Sequence, residues 1–158
     1  MSGVAAEGIL FVMYSDGSAL RQLSRDECLH LMASVPVGRI VYTQRALPAV
    51  ELVNFALDHG DIVIRTDRGG KLAAAARGAV VAFETDSLDP AHQAGWSVTV
   101  IGKSQEVTDP DDIARLQRMS LRSWAPGIRE HFIRISPEIV NGRYLRTNDQ
   151  QQPASLAG

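Results

Sequence analysis

Cysteine is nearly absent from this chain. Cys28 is the one thiol among 158 residues, so no intrachain disulfide can form, and no CxxC or Cys/His ligand spacing surrounds it. A reducing compartment follows, and a cytoplasmic location is expected. Histidine is sparse as well. His30, His59, His92 and His131 stand far apart, with no HExxH and no paired spacing, which argues against a metal site. Long apolar runs are missing too. The run from Ile9 to Tyr14 is far too short to span a bilayer, and no basic segment precedes it, so neither a membrane anchor nor a secretory signal is expected. Charge of one sign is also lacking. Sixteen Lys and Arg against eighteen Asp and Glu leave a net charge of −2 and a pI near 6.1. That excludes a broad basic face for duplex nucleic acid and still allows one local basic pocket.

Several catalytic signatures are absent. "GKS" at 102–104 has Ser97 where a Walker A loop needs its first glycine, and "GGKL" at 69–72 has Arg65 there and Leu72 in place of Ser or Thr. No GxGxxG occurs, and no G-x-S-x-G elbow supports a hydrolase triad. No internal repeat or low-complexity linker divides the chain.

What remains is an ordinary globular composition, 45% apolar and 22% charged. The length fits one domain with a core that needs no metal or disulfide. The expected layout is an N-terminal extension over 1–20, one domain over 21–147 and a tail over 148–158. "ILFVMY" in the extension reads as an extra strand or a stretch docked on a partner subunit, and Met13 as a candidate start.

Ser24 and Glu27 form an S-x-x-E capping box, so a helix is predicted over 24–34 and ended by Pro36. The pattern then changes to a two-residue period. Strands are predicted over 37–44, 49–58, 61–66, 79–86 and 96–109, with "RALP" and "DHGD" as turns and Gly102 marking a bulge. A helix starts at an Asp cap with Pro110 in its first turn, and "HFIRISPEIVNGRYL" supplies the final strand segments. Some six closely spaced strands joined by short turns predict a mainly β, antiparallel barrel with peripheral helices. The helix between successive strands that a Rossmann sheet needs is missing.

One segment carries unexplained charge: "DIVIRTDRGGKLAAAAR", residues 61–77. Arg65, Thr66, Arg68 and Lys71 cluster where a strand hands over to an alanine-rich helix, with Gly69 and Gly70 between them. A helix N-terminus favours anions, and glycine permits close approach to the backbone. Lys71 in a first helical turn opposes the helix dipole, which an anion would offset. A solvated basic turn is the alternative.

The order of segments resembles the pyridoxamine-phosphate-oxidase-like, FMN-binding split-barrel family, in particular its small actinobacterial and nitroimidazole-reductase-like members. "LSRDECLHLMASVPVGRIVY" is similar to that family's opening helix and first strand, "PAVELVNFALD" to its second strand and "DIVIRTDRGGKL" to its phosphate corner. "VAFETD", "GWSVTVIGKSQEVTD" and "ISPEIVNGRYL" complete the set. The resemblance implies a six-stranded antiparallel split barrel of Greek-key type that forms a homodimer, with FMN between subunits. It implies that Arg65, Thr66, Gly70, Lys71 and Leu72 hold the phosphate and ribityl chain. It places Val53, Asn54 and Phe55 along the isoalloxazine ring, and Trp96 and Ser97 at the cleft, from the other subunit. Val53, Phe55 and Trp96 read equally well as core.

The chain departs from its relatives at Glu51, where many have proline, and at "RALP", where many have D-G-x-P. Glu51 either tunes a flavin or faces solvent. Arg143 is either a carboxylate partner or a dimer contact, and the 87–95 loop is a candidate gate. The further basic residues that hold substrate phosphate in the vitamin-synthesising oxidases are missing. The expected activity is a flavin-dependent oxidoreduction of a small molecule, with a nicotinamide or other reductant as donor. The alternatives are a deazaflavin-dependent reductase and a flavin or haem carrier without turnover.

Overall fold

The computed structural model describes residues 20–67, 72, 77–121, 124 and 130–145. The capping box forms as the sequence predicts. Ser24 Oγ accepts from the Glu27 N–H, Glu27 accepts from the Ser24 N–H, and helix α1 runs over Arg25–Met32. The strands are β1 (Leu20–Leu23), β2 (Val37–Gln44), β3 (Leu47–Asp58), β4 (Asp61–Thr66), β5 (Val80–Asp89), β6 (Ala94–Glu106) and β7 (His131–Leu145). Helix α2 spans Pro110–Gln117, with Asp109 as its cap. No described helix is long and apolar enough to cross a membrane.

All strand pairings are antiparallel. β3 lies beside β4, β4 beside β7, β7 beside β6, β6 beside β5, and β5 returns to β2, which pairs with β3. The sheet therefore closes on itself through six strands, as expected for a split barrel. β7 explains the split. One of its edges pairs β6 from residue 133 to residue 145. The other is divided: residues 131–135 pair β4 and residues 142–145 pair β1.

Alternation fills the interior. Ile40, Tyr42, Phe55, Ile62, Ile64, Phe83, Val98, Val100 and Ile135 point inward and form one buried cluster. α1 adds Cys28 and Met32 to that cluster. A Cβ on Gly142 would collide with Cys28 Sγ, so glycine lets the helix sit down. The register of β6 on β7 shifts between Ile101 and Gly102, where a Cβ on Gly102 would collide with the Ser136 carbonyl. The bulge read from Gly102 is there.

A second cluster lies outside the barrel, where Val63 and Phe132 are covered by Leu116 and Leu121. Asp58 fixes α2 on this side. It accepts from both terminal nitrogens of Arg115 at 2.7 and 2.9 Å and from Arg134 at 2.9 Å. The Arg115 hydrogen bonds, aided by Arg134 and opposed by burial, hold its carboxyl far below the usual range.

Two expectations change. β1 begins at Leu20, inside the stretch read as an extension; four residues are too few to show a period. The 87–95 segment is not a long loop. β5 runs to Asp89 and β6 starts at Ala94, so a tight hairpin stands there, its turn pinned by Asp89 accepting from the Ala91 and His92 N–H groups.

Candidate functional site

β3 is twelve residues long, and β4 accompanies only 55–58 of it. The Phe55 N–H donates to the Pro36 carbonyl at 3.2 Å, which fixes the phase of the β2–β3 ladder. Residues 53, 51 and 49 then bond β2. Val50 and Leu52 turn their N–H and C=O groups the other way, to an edge that no described strand covers. Their side chains are 60% and 66% exposed on the outer face.

β4 ends beside this open edge. Phe55 pairs Ile64, so Asn54 and Arg65 follow one step on, both on the outer side. The Asn54 amide is committed. Nδ2 donates to the Pro36 carbonyl at 3.3 Å, and Oδ1 accepts from the Trp124 N–H at 2.8 Å. Arg65 is half-buried, its guanidinium 5.7 Å over the Phe132 ring. Thr66 is buried on the inner side, opposite His131. Glu106 accepts from Arg77 at 3.1 Å and lies 3.3 Å from His131 Nδ1.

Other expected site residues lie elsewhere. Phe55 is inside the barrel, edge-on to Phe83 at 4.8 Å, and Val53 is half-buried on the same face. Leu72 belongs to the core. Gly70 and Lys71 lie outside the described residues. Trp96 is buried beside Val98 and Val100. Ser97 faces outward between Asp86 and Arg143. From Phe132, which pairs Arg65, to Arg143 along β7 is roughly 35 Å at ~3.3 Å per residue, so one protomer does not bring Ser97 to Arg65.

Sequence patterning misses two features. Trp124 is 70% exposed beside Asn54, and no periodicity marks it. The hydroxyl of buried Tyr42 donates to Glu51. Burial first, and then this bond, push the Tyr42 phenol up to about 12. Glu51 thus points to the inner side of β3. Among the described residues no group of three or more His, Cys, Asp or Glu is arranged to hold a metal.

The donor set therefore combines a cation at the end of β4 with backbone N–H and C=O groups of β3 that no described strand takes up. Such a set can take an anion at the guanidinium and polar groups along the backbone edge. Comparison with known proteins gives the family. The profile of the pyridoxamine 5'-phosphate oxidase family matches residues 24–144. The chain belongs to that family. The uncharacterised protein Rv0080 of Mycobacterium tuberculosis is 44% identical over 126 residues, 77% of this chain and 82% of that one. Among solved structures, a Corynebacterium glutamicum protein bearing the family's name superposes with a TM-score of 0.73 at 31% identity, covering 82% of this chain and 95% of its own. An FAD-binding protein from Mycobacterium smegmatis gives 0.68 at 35%, covering 79% and 98%. Within the family, the open β3 edge and the Arg65 corner are this chain's candidate site.

Proposed function

We propose that the chain is a flavin-dependent oxidoreductase that binds FMN along the free edge of β3, with its phosphate at Arg65. The observation that carries this reading is the meeting of the end of β4 with the open backbone edge of β3 at Val50 and Leu52. Arg65 would hold the phosphate, Lys71 would assist by family resemblance, and the β3 backbone would meet the polar edge of the ring. When bound, the flavin supplies the electron chemistry. The chain's own part is to bind, orient and exclude water. No side chain is assigned as acid or base. A small molecule is the substrate, with a nicotinamide or another reductant as donor, in the cytoplasm.

The functional unit in this reading is a homodimer. Val50, Val41, Ala82, Ile101 and Ile139 stand directly opposite one another across five strands of the outer face. The next row is Leu52, Arg39, Glu84, Thr99 and Asn141, where Arg39 donates to Glu84 and Asp86, each at 2.9 Å. An apolar stripe with an adjoining charged row suits a self-complementary interface. Such an interface would bring Ser97 of one protomer toward the cleft of the other, while Trp96 stays in the core.

A second reading, FAD in place of FMN, is favoured by the M. smegmatis neighbour. A visible spectrum of the purified protein separates flavin, deazaflavin, haem and no chromophore. Titration of FMN and riboflavin then tests the corner. Arg65→Ala should cost about 1.5–3 kcal/mol in FMN binding, roughly tenfold to a hundredfold, and far less for riboflavin, which lacks the phosphate. Equal losses for both ligands would remove Arg65 from the phosphate site.

A further inference from the structure

Glu51 sits between Val50 and Leu52, the two residues whose backbone groups face the open edge. Consecutive α-carbons are about 3.8 Å apart, so its backbone adjoins the proposed ring site directly. Its side chain lies on the inner side of β3, opposite fully buried Ile40, and is half-buried. Tyr42, 4% exposed, donates its hydroxyl to the carboxylate. A phenol donates to an ionised carboxylate and keeps it oriented. The wall beside Glu51 has no second described strand to shield it, since β4 has ended by Thr66. The described ion pairs of the outer face, Arg39 with Glu84 and Asp86, are on the other side of the sheet and do not offset it.

We propose that Glu51, oriented by Tyr42, is a fixed negative charge that lowers the reduction potential of the cofactor on the β3 edge and favours neutral or cationic acceptors. The inference rests on the flavin reading above. A charge held in a half-buried site acts more strongly than one in water, because the effective dielectric is lower. Reduction places negative charge on the ring system, so a neighbouring carboxylate opposes it. Glu51 acts by field and takes no part in bond making.

The experiment uses the full chain loaded with FMN. Binding is measured first, by titration, for wild type, Glu51→Gln and a control, Glu138→Gln, which alters an exposed residue of β7. Midpoint potentials then follow by dye equilibration. The expected result is a higher potential in Glu51→Gln than in wild type, none of that rise in the control, and FMN affinity within about threefold. A merely structural role would lower stability or affinity and leave the potential in place. An unchanged potential with FMN bound overturns the proposal and leaves the flavin reading standing. Absence of FMN binding by wild type overturns both. If Glu51→Gln fails to hold FMN, Glu51→Ala, which also removes the charge, is measured instead; a potential above that of wild type supports the proposal, and a wild-type potential overturns it.

Discussion

The two halves of β3 obey the same alternation and have different surroundings. Over 55–58 the strand pairs β4, and the cluster under α2 covers its outer face at Ala56. Its last residue, Asp58, is gripped by Arg115 and Arg134. Over 47–52 β2 is its one neighbour among the described strands, and Leu47, Val50 and Leu52 are each at least 60% exposed. The covered half commits its polar groups to holding the fold. The open half keeps its backbone groups and apolar side chains available. Stability and binding are thus divided along one strand, and substitutions on either side should read differently.

The largest effect belongs to the covered half. Asp58→Asn leaves two guanidinium groups facing a neutral amide. Breaking a buried pair costs about 3–5 kcal/mol, and the partial exposure of Arg115 puts this case near about 3 kcal/mol. Denaturant midpoints measure it. The pH dependence has a definite sign. The folded carboxyl is depressed, so its stabilisation is complete above the unfolded value near ~3.9 and is lost as pH falls further toward the folded value. The gap between wild type and Asp58→Asn should therefore be constant from neutral pH down to about 5 and shrink below about 4. A gap independent of pH in that range would mean the Arg contacts do not depend on charge.

A smaller effect should come from the open half, at the tip that joins β2 to β3. Arg45 and Ala46 both take positive φ, 51° and 63°, as a two-residue hairpin turn requires. Neither residue type favours that region. Arg45→Asn with Ala46→Gly installs residues that do, and the double variant should gain about 1–2 kcal/mol. Cofactor affinity should change little, because the tip lies about 13 Å from Val50, the nearest residue of the proposed site, at ~3.3 Å per residue along β3. Lost affinity in this variant would tie the turn to the site.

Much of the fold is legible in the sequence. The capping box, the strands over 37–44 and 61–66 and the Gly102 bulge rest on local chemistry, and each stands where the pattern puts it. The barrel follows from strand spacing and turn length. The open edge of β3 is not legible. Residues 47–58 form one continuous pattern, and nothing in it says where β4 stops accompanying it. Asp58 and Arg115 are 57 positions apart, and Tyr42 reaches Glu51 across a strand pair. Such contacts depend on register, which a one-dimensional pattern does not carry. Arg65 stands out by its charge in a glycine-rich corner. Phe55 and Trp96 show the opposite difficulty: an inward aromatic on a strand looks the same whether it lines a cleft or fills a barrel.

The smallest effect on folding, and the clearest on assembly, should come from the exposed stripe. Ile139 lies on the outer side of β7, opposite Ile101, and is 47% exposed. Within the protomer it has little to lose, so Ile139→Lys should change folding stability by no more than about 0.5 kcal/mol, the usual range for surface substitutions. In the proposed dimer the same change buries an ammonium group against an apolar row with no partner for it, which association cannot tolerate. Sedimentation velocity at micromolar concentration should show wild type as a dimer and Ile139→Lys as a folded monomer. The flavin then adds a second readout. If the site needs both protomers, the variant should also lose cofactor in step with its loss of dimer. A dimer that survives the lysine would move the interface off this stripe, and a monomeric variant that keeps full FMN affinity would place the whole site within one protomer, along the open edge of β3.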